Sequence, residues 1–131
     1  MKYMVLMQGP KGAWQDFNKM ASKDLKAHIA FMERLNTELA ASGELVDAQG
    51  LAFPDQGKIV TARTNAAPAV TDGPFPESKE FLAGYWIVDV ENEARAVAIA
   101  AHVSTAPGRD GVPMNFPVQV RQVMSAPPGD V

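Results

Sequence analysis

His28 is one of only two histidines in a chain that has no cysteine. It falls in the series Leu25, His28, Ile29, Met32, Leu35, Asn36 and Leu39, whose i, i+3, i+4, i+7 spacing marks one stripe of a helix. A histidine in such a stripe faces a sheet or a cavity beside it, not open water. Two readings fit. An imidazole with its ordinary pKa of about 6.5 exchanges protons near neutral pH, which suits a general acid or base. The same position also suits a buried, hydrogen-bonded core histidine.

The second cluster of chemistry lies in Thr71-Asp72-Gly73-Pro74-Phe75-Pro76-Glu77-Ser78-Lys79-Glu80-Phe81-Leu82-Ala83-Gly84-Tyr85. Asp-Gly and Gly-Pro are strong turn formers, because glycine reaches positive φ and proline fixes φ near about −65°. Loops of this kind in small domains carry binding sites more often than they idle. Asp72 reads either as a turn former or as a catalytic carboxylate. Lys79 reads as a solvated loop cation or as a partner for an anionic ligand. Phe75, Tyr85 and Trp86 read first as packing residues, with Tyr85 and Trp86 on opposite faces of one strand. Gly84 between apolar neighbours predicts close approach of another backbone or of a ligand.

Other chemistries are excluded by what is missing or too far apart. Without cysteine there is no thiolate nucleophile, disulfide, zinc-thiolate site or iron–sulfur cluster. No glycine-rich phosphate loop is present, since Gly108-Arg109-Asp110-Gly111 lacks the spacing and context. His102 ends a helix, where a cation is favoured. His28 lies early in its own helix, so with both helices running the same way the two imidazoles sit more than ~10 Å apart. No metal site and no cofactor are expected. The net charge of −3, with scattered lysines and arginines, argues against nucleic acid. No apolar run approaches the ~20 residues that span a bilayer, and the N-terminus lacks a secretory pattern. The expectation is a cytoplasmic protein that binds neither membrane nor nucleic acid.

These residues must be held by a core, and 131 residues with 47% apolar content suffice for one domain. Strands are expected at 3–8, 45–51, 58–64 and 82–90, with a short extended piece at 69–71 and a last strand at 118–124. Pro10-Lys11-Gly12 reads as a loop. Helices are expected from an N-cap at Ser22 to a stop at Gly43, and over 91–103 with Asp89 or Asn92 as cap and Ala94, Val97, Ala98 and Ala101 as its apolar stripe. Residues 104–117 read as a long loop, and 125–131 as a flexible tail after a domain of 1–124. The order gives a β-α-β-β-α-β plan, the ferredoxin-like α+β sandwich with an antiparallel sheet and two helices on one face. Strands 3–8 and 82–90 are apolar on both sides, so the open sheet face is expected to meet a second copy, forming a homodimer.

The start Met1-Lys2-Tyr3-Met4-Val5-Leu6-Met7, the helix end at Ser42-Gly43 and the 71–85 stretch together resemble the YCII-related family, and within it the branch named for its DGPF motif. The resemblance covers residues 1–124. It implies a ferredoxin-like chain that dimerises into an α+β barrel, and a His–Asp pair proposed as catalytic, which maps here to His28 and Asp72. Asp72 would then orient the imidazole and stabilise its protonated form. Gly73, Phe75, Lys79 and Tyr85 are the expected substrate-binding residues beside that pair. Gln119 stands where the branch commonly has a glutamate. The resemblance implies cofactor-free acid–base work on a small anionic or aromatic molecule. The alternative it leaves open is a non-catalytic ligand-binding or regulatory adaptor module with a protein partner, since genes of the branch often lie near sigma-factor genes.

Overall fold

Two long apolar strands, β1 (Lys2–Pro10) and β5 (Glu80–Asp89), pair antiparallel at the centre of a four-stranded sheet. The edges are β2 (Leu45–Gly50) beside β5 and β6 (Val118–Gln122) beside β1. Both strands carry apolar side chains on both faces, one buried under the helices and the other largely half-buried, which is why the apolar runs at 3–8 and 82–90 lack strict alternation. The computed structural model describes residues 1–75 and 77–124, and the side chains of Lys11 and Trp14 are outside that description. Pro76 and the tail expected at 125–131 therefore lie outside the described residues.

Helices α2 (Ser22–Ala41) and α3 (Glu93–Ser104) pack on one face of this sheet. Leu35 and Leu39 of α2 and Ala96, Ile99 and Val103 of α3 join Tyr3 and Val5 of β1 and Trp86 and Val88 of β5 in one buried cluster. Val5, Val88 and Val103 are fully buried, each contributing roughly 1.5–3 kcal/mol by leaving water. The result is the ferredoxin-like α+β plan, with strand order β2-β5-β1-β6.

Three local expectations are corrected. The segment after β1 is not a loop but a helix, α1 (Lys11–Asn18), with Pro10 at φ −70° as its N-cap. Proline and glycine are tolerated there because the first-turn N–H groups have no intrahelical partner to lose. The N-cap of α2 is Ala21, one residue before Ser22, and no side chain caps it. On α3 the buried stripe is Ala96, Ile99, Ala100 and Val103, while Val97 is 52% exposed. Nearly all of 94–103 is apolar, so periodicity offers several stripes, and the one carrying the branched Ile99 and Val103 buries more area. Other local expectations hold. Asn92 caps α3, its side chain accepting from the Arg95 amide at 3.0 Å. Gly43, at φ +77°, ends α2, with the Glu44 amide donating to Leu39 O and the Gly43 amide to Ala40 O. This pairing satisfies two carbonyls of the last turn.

Between β2 and β5 the chain departs from the simple plan. β3 (Lys58–Arg63) and β4 (Ala66–Asp72) form a separate two-stranded hairpin, so the short extended piece expected at 69–71 is a full strand. A 3₁₀ turn, Pro54–Gln56, precedes it. Gly84 does mark a close backbone approach: a Cβ there would lie 2.8 Å from the Gln49 carbonyl oxygen of β2.

Candidate functional site

The register between β1 and β5 slips between Met7 and Gln8, where Met7 faces Gly84 but Gln8 faces Leu82. Ala83 is thus an extra residue on β5, a bulge that re-aims the strand ends. Beside it lies a cavity of about 250 Å³. Its walls come from the end of β1, from Phe17 on α1, from residues 51–54 leading into the 3₁₀ turn, from Leu82 and Ala83, and from Met114, Phe116 and Pro117 ahead of β6. Among the described residues the lining is apolar except for Gln8 and His28, and no lysine or arginine belongs to it.

His28 is 6% exposed. Its Nδ1 lies 3.0 Å from the Pro107 carbonyl oxygen. A carbonyl only accepts, so Nδ1 carries the proton and donates it. In the neutral ring the lone pair then sits on Nε2, which has no hydrogen-bond partner among the described residues. Phe17 meets the imidazole edge-on, with ring centroids 5.0 Å apart and planes at 75°. α1 and the 105–117 segment therefore fix both the plane and the tautomer of the ring. That segment is itself held by Ser104 Oγ donating to Phe116 O at 2.6 Å and by the Met114 amide donating to Ala106 O at 2.9 Å. One turn before His28 on α2, Asp24 is also 6% exposed. It sits in the first turn, where the helix dipole favours a carboxylate.

A family model described as the YCII-related domain matches residues 1–118. The chain belongs to the YCII-related family. No curated protein matches it.

In this YCII-related chain the residues expected at the site do not come together in one place. His28 lines the cavity. Asp72, at the end of β4, is paired across the hairpin with Lys58 of β3, and its side chain is 81% exposed. No hydrogen bond joins Asp72 to His28 among the described residues. Gly73 and Phe75 line a second, more open recess of about 440 Å³, which shares residues 51–54 and Leu82 with the first cavity. Lys79 lines neither. Tyr85 borders a smaller hollow of about 180 Å³ that also touches His28 and Asn36. Its hydroxyl donates to Asp47 Oδ2 at 3.0 Å. That hydrogen bond to a carboxylate holds the phenol above its ordinary range, with desolvation adding to it. Asp47 Oδ1 in turn accepts from Gln49 Nε2 at 3.1 Å and from the Ala48 amide at 2.9 Å. His102 is exposed and packs against Phe31, with ring centroids 5.0 Å apart. No group of three acidic or histidine side chains fit to hold a metal occurs among the described residues. No helix among them is long and apolar enough to cross a membrane.

Sequence reasoning missed Phe17, Gln8, Pro107, Met114 and Phe116. Phe17 was hidden by the Pro-Lys-Gly segment that reads as a loop. The 105–117 residues carried a signal in their alternation of proline, glycine and large apolar side chains, which marks a built loop rather than a tether.

Proposed function

We propose that this YCII-related chain is a cofactor-independent acid–base enzyme acting on a small molecule in the cavity beside His28. One observation carries the reading. A nine-tenths-buried imidazole that lines an apolar cavity has its Nδ1–H anchored on a backbone carbonyl, while its Nε2 has no hydrogen-bond partner among the described residues. An anchored ring with one free nitrogen is what a general base needs, because orientation is set before substrate arrives. The Pro107 carbonyl does the orienting that the resemblance assigned to Asp72. The Lys58–Asp72 pair closes the base of the hairpin next to the recess lined by Gly73 and Phe75. The Asp72-Gly73-Pro74-Phe75 run supports placing the chain in the DGPF branch, and the cysteine-free composition supports a cytoplasmic setting.

The test uses His28→Asn, whose amide keeps a donor for Pro107 O but removes the Nε2 lone pair. Screened against hydroxylated and chlorinated aromatic compounds and enolisable carbonyl compounds, the wild-type protein should turn over at least one. His28→Asn should lower that rate by about 10²–10⁴-fold, and Asp72→Asn should leave it within about twofold. Equal turnover in His28→Asn would sink the proposal. The adaptor reading draws on a different observation. Val60 and Val70 pair across the hairpin and are 63% and 59% exposed, an apolar spot that a protein partner would cover. Partner capture lost in Val60→Lys, with no turnover by the wild type, would favour that reading.

A further inference from the structure

Pro107, whose carbonyl oxygen holds the Nδ1–H of His28, sits in the middle of a short ladder that the chain makes with itself. The Gly108 amide donates to Val112 O at 2.8 Å, Pro107 bridges to Pro113, and the Met114 amide donates to Ala106 O at 2.9 Å. The turn between the two arms uses Asp110 at φ +57° and Gly111 at φ +74°. Pro107 has no N–H to give this ladder, so its carbonyl is aimed by its neighbours Ala106 and Gly108, both buried. Met114 reaches both of them. Its amide holds Ala106 O, and its side chain lies over Gly108, where an added Cβ would fall 2.9 Å from Met114 Cγ and 3.7 Å from its Sδ. The same side chain lines the cavity and is 37% exposed, so it meets ligand space, solvent and the Pro107 turn at once.

We infer that Met114 is a positioning residue for His28: packed on Gly108, it braces the Pro107 carbonyl that selects the tautomer of the imidazole. The inference rests on the acid–base reading of the same site and deepens it by naming what aims the base.

The brace matters because the tautomer is a balance. A neutral imidazole carries its proton on either nitrogen, and the Pro107 carbonyl favours Nδ1 through one hydrogen bond. Such a bond is worth about a fivefold preference, and it weakens steeply as donor and acceptor lose alignment. When the proton moves to Nε2, the lone pair of the ring faces Pro107 and the base is lost. Gly108 has φ −112°, outside the left-handed region, so packing under Met114 is what calls for glycine there. Any side chain at that position would push away either Met114 or the peptide that carries Pro107 O. Methionine suits the other half of the contact, because its unbranched thioether adapts to a ligand on one side while staying packed on the other.

Ring ¹⁵N resonances of His28, recorded on the full chain at about pH 8, where an ordinary imidazole is neutral, give the ratio of the two tautomers. His102 is the only other histidine and serves as the internal control. The wild type should hold the proton on Nδ1. Met114→Ala removes the brace and should lower the Nδ1–H to Nε2–H ratio by about fivefold. Met114→Leu keeps a Cγ beside Gly108 and should stay within about twofold of the wild type. Gly108→Ala should lower the ratio by about fivefold alone, and by less than about twofold further when Met114→Ala has already removed Cγ and Sδ. If Gly108→Ala folds poorly, the contrast between Met114→Ala and Met114→Leu decides alone. A wild-type ratio in Met114→Ala, an equal loss in Met114→Leu, or a full Gly108→Ala effect in the Met114→Ala background would each overturn the inference. The two readings fail separately. If Met114→Ala shifts the tautomer while His28→Asn retains turnover, the positioning role holds and the acid–base role falls. If Met114→Ala leaves the tautomer alone while His28→Asn loses turnover, the positioning role falls and the acid–base role holds.

Discussion

The indole N–H of Trp86, on the buried face of β5, donates to Asn36 Oδ1 of α2 at 2.7 Å. Asn36 occupies a slot in the apolar stripe of its helix, and this bond explains why a polar side chain belongs there. Asn36→Leu would keep the volume and orphan a buried donor, at a cost of about 1–3 kcal/mol. The expected outcome is a thermal midpoint lower by roughly 3–8 °C, measured by circular dichroism. An unchanged midpoint would show that the indole finds another acceptor. At this scale the sequence was most readable where one element decided a residue's surroundings. The stripe placed His28 against the core, and strand alternation put Tyr85 and Trp86 on opposite faces. Asp72 was not readable in the same way. Its partner, Lys58, is set by hairpin register across a turn at 64–65, and no local pattern announces which cation will stand opposite a carboxylate.

Elements meet through a few polar contacts at their ends. Glu44, just past the end of α2, receives Arg95 of α3 in a two-pronged bond: Nε to Oε2 and Nη2 to Oε1, each 2.8 Å. With the Ser42 hydroxyl adding a third bond at 2.7 Å, the Arg95 guanidinium draws the Glu44 carboxyl from 4.5 down to about 2. The folded value lies below the unfolded one. The stabilisation is therefore complete above about pH 4.5 and is lost as pH falls from 4.5 towards 2. Arg95 is nearly half exposed, so solvent screening leaves it at about 1 kcal/mol. Arg95→Ala should lower stability in urea by about that amount at neutral pH and flatten its decline across this acid window. A parallel decline in variant and wild type would assign the acid loss elsewhere. The strands, the two long helices and their order were legible because apolar period and turn chemistry agreed. α1 was not, since a proline and a glycine at a helix start look like those of a loop. The stripe of α3 was not, since an alanine-rich helix is nearly equally apolar all round and only packing selects its buried side.

For the whole molecule, the unresolved demand is the sheet face opposite α2 and α3. Two rows of side chains cross it. One runs Asp47, Ile87, Met4, Arg121 and the other Gln49, Tyr85, Leu6, Gln119, following the pairing of β2, β5, β1 and β6. The centre is apolar, one edge carries an acid and the other a base. Such a face is complementary to itself: a two-fold axis parallel to the strands lays the Asp47 edge of one copy over the Arg121 edge of the other. Self-association would cover Met4 and Ile87, which stay half-buried on the side away from the helices, and it would set two His28 cavities in one particle. The expectation is a dimer by sedimentation at micromolar concentration. Ile87→Asp, which puts a charge at the apolar centre, should give monomers with the fold retained. Arg121→Asp, which sets like charges edge to edge, should weaken the dimer by roughly tenfold or more, and the weakening should shrink in high salt as the edge charges are screened. A wild-type chain that sediments as a monomer, or an Ile87→Asp dimer as tight as the wild type, would mean that the open face is not the interface.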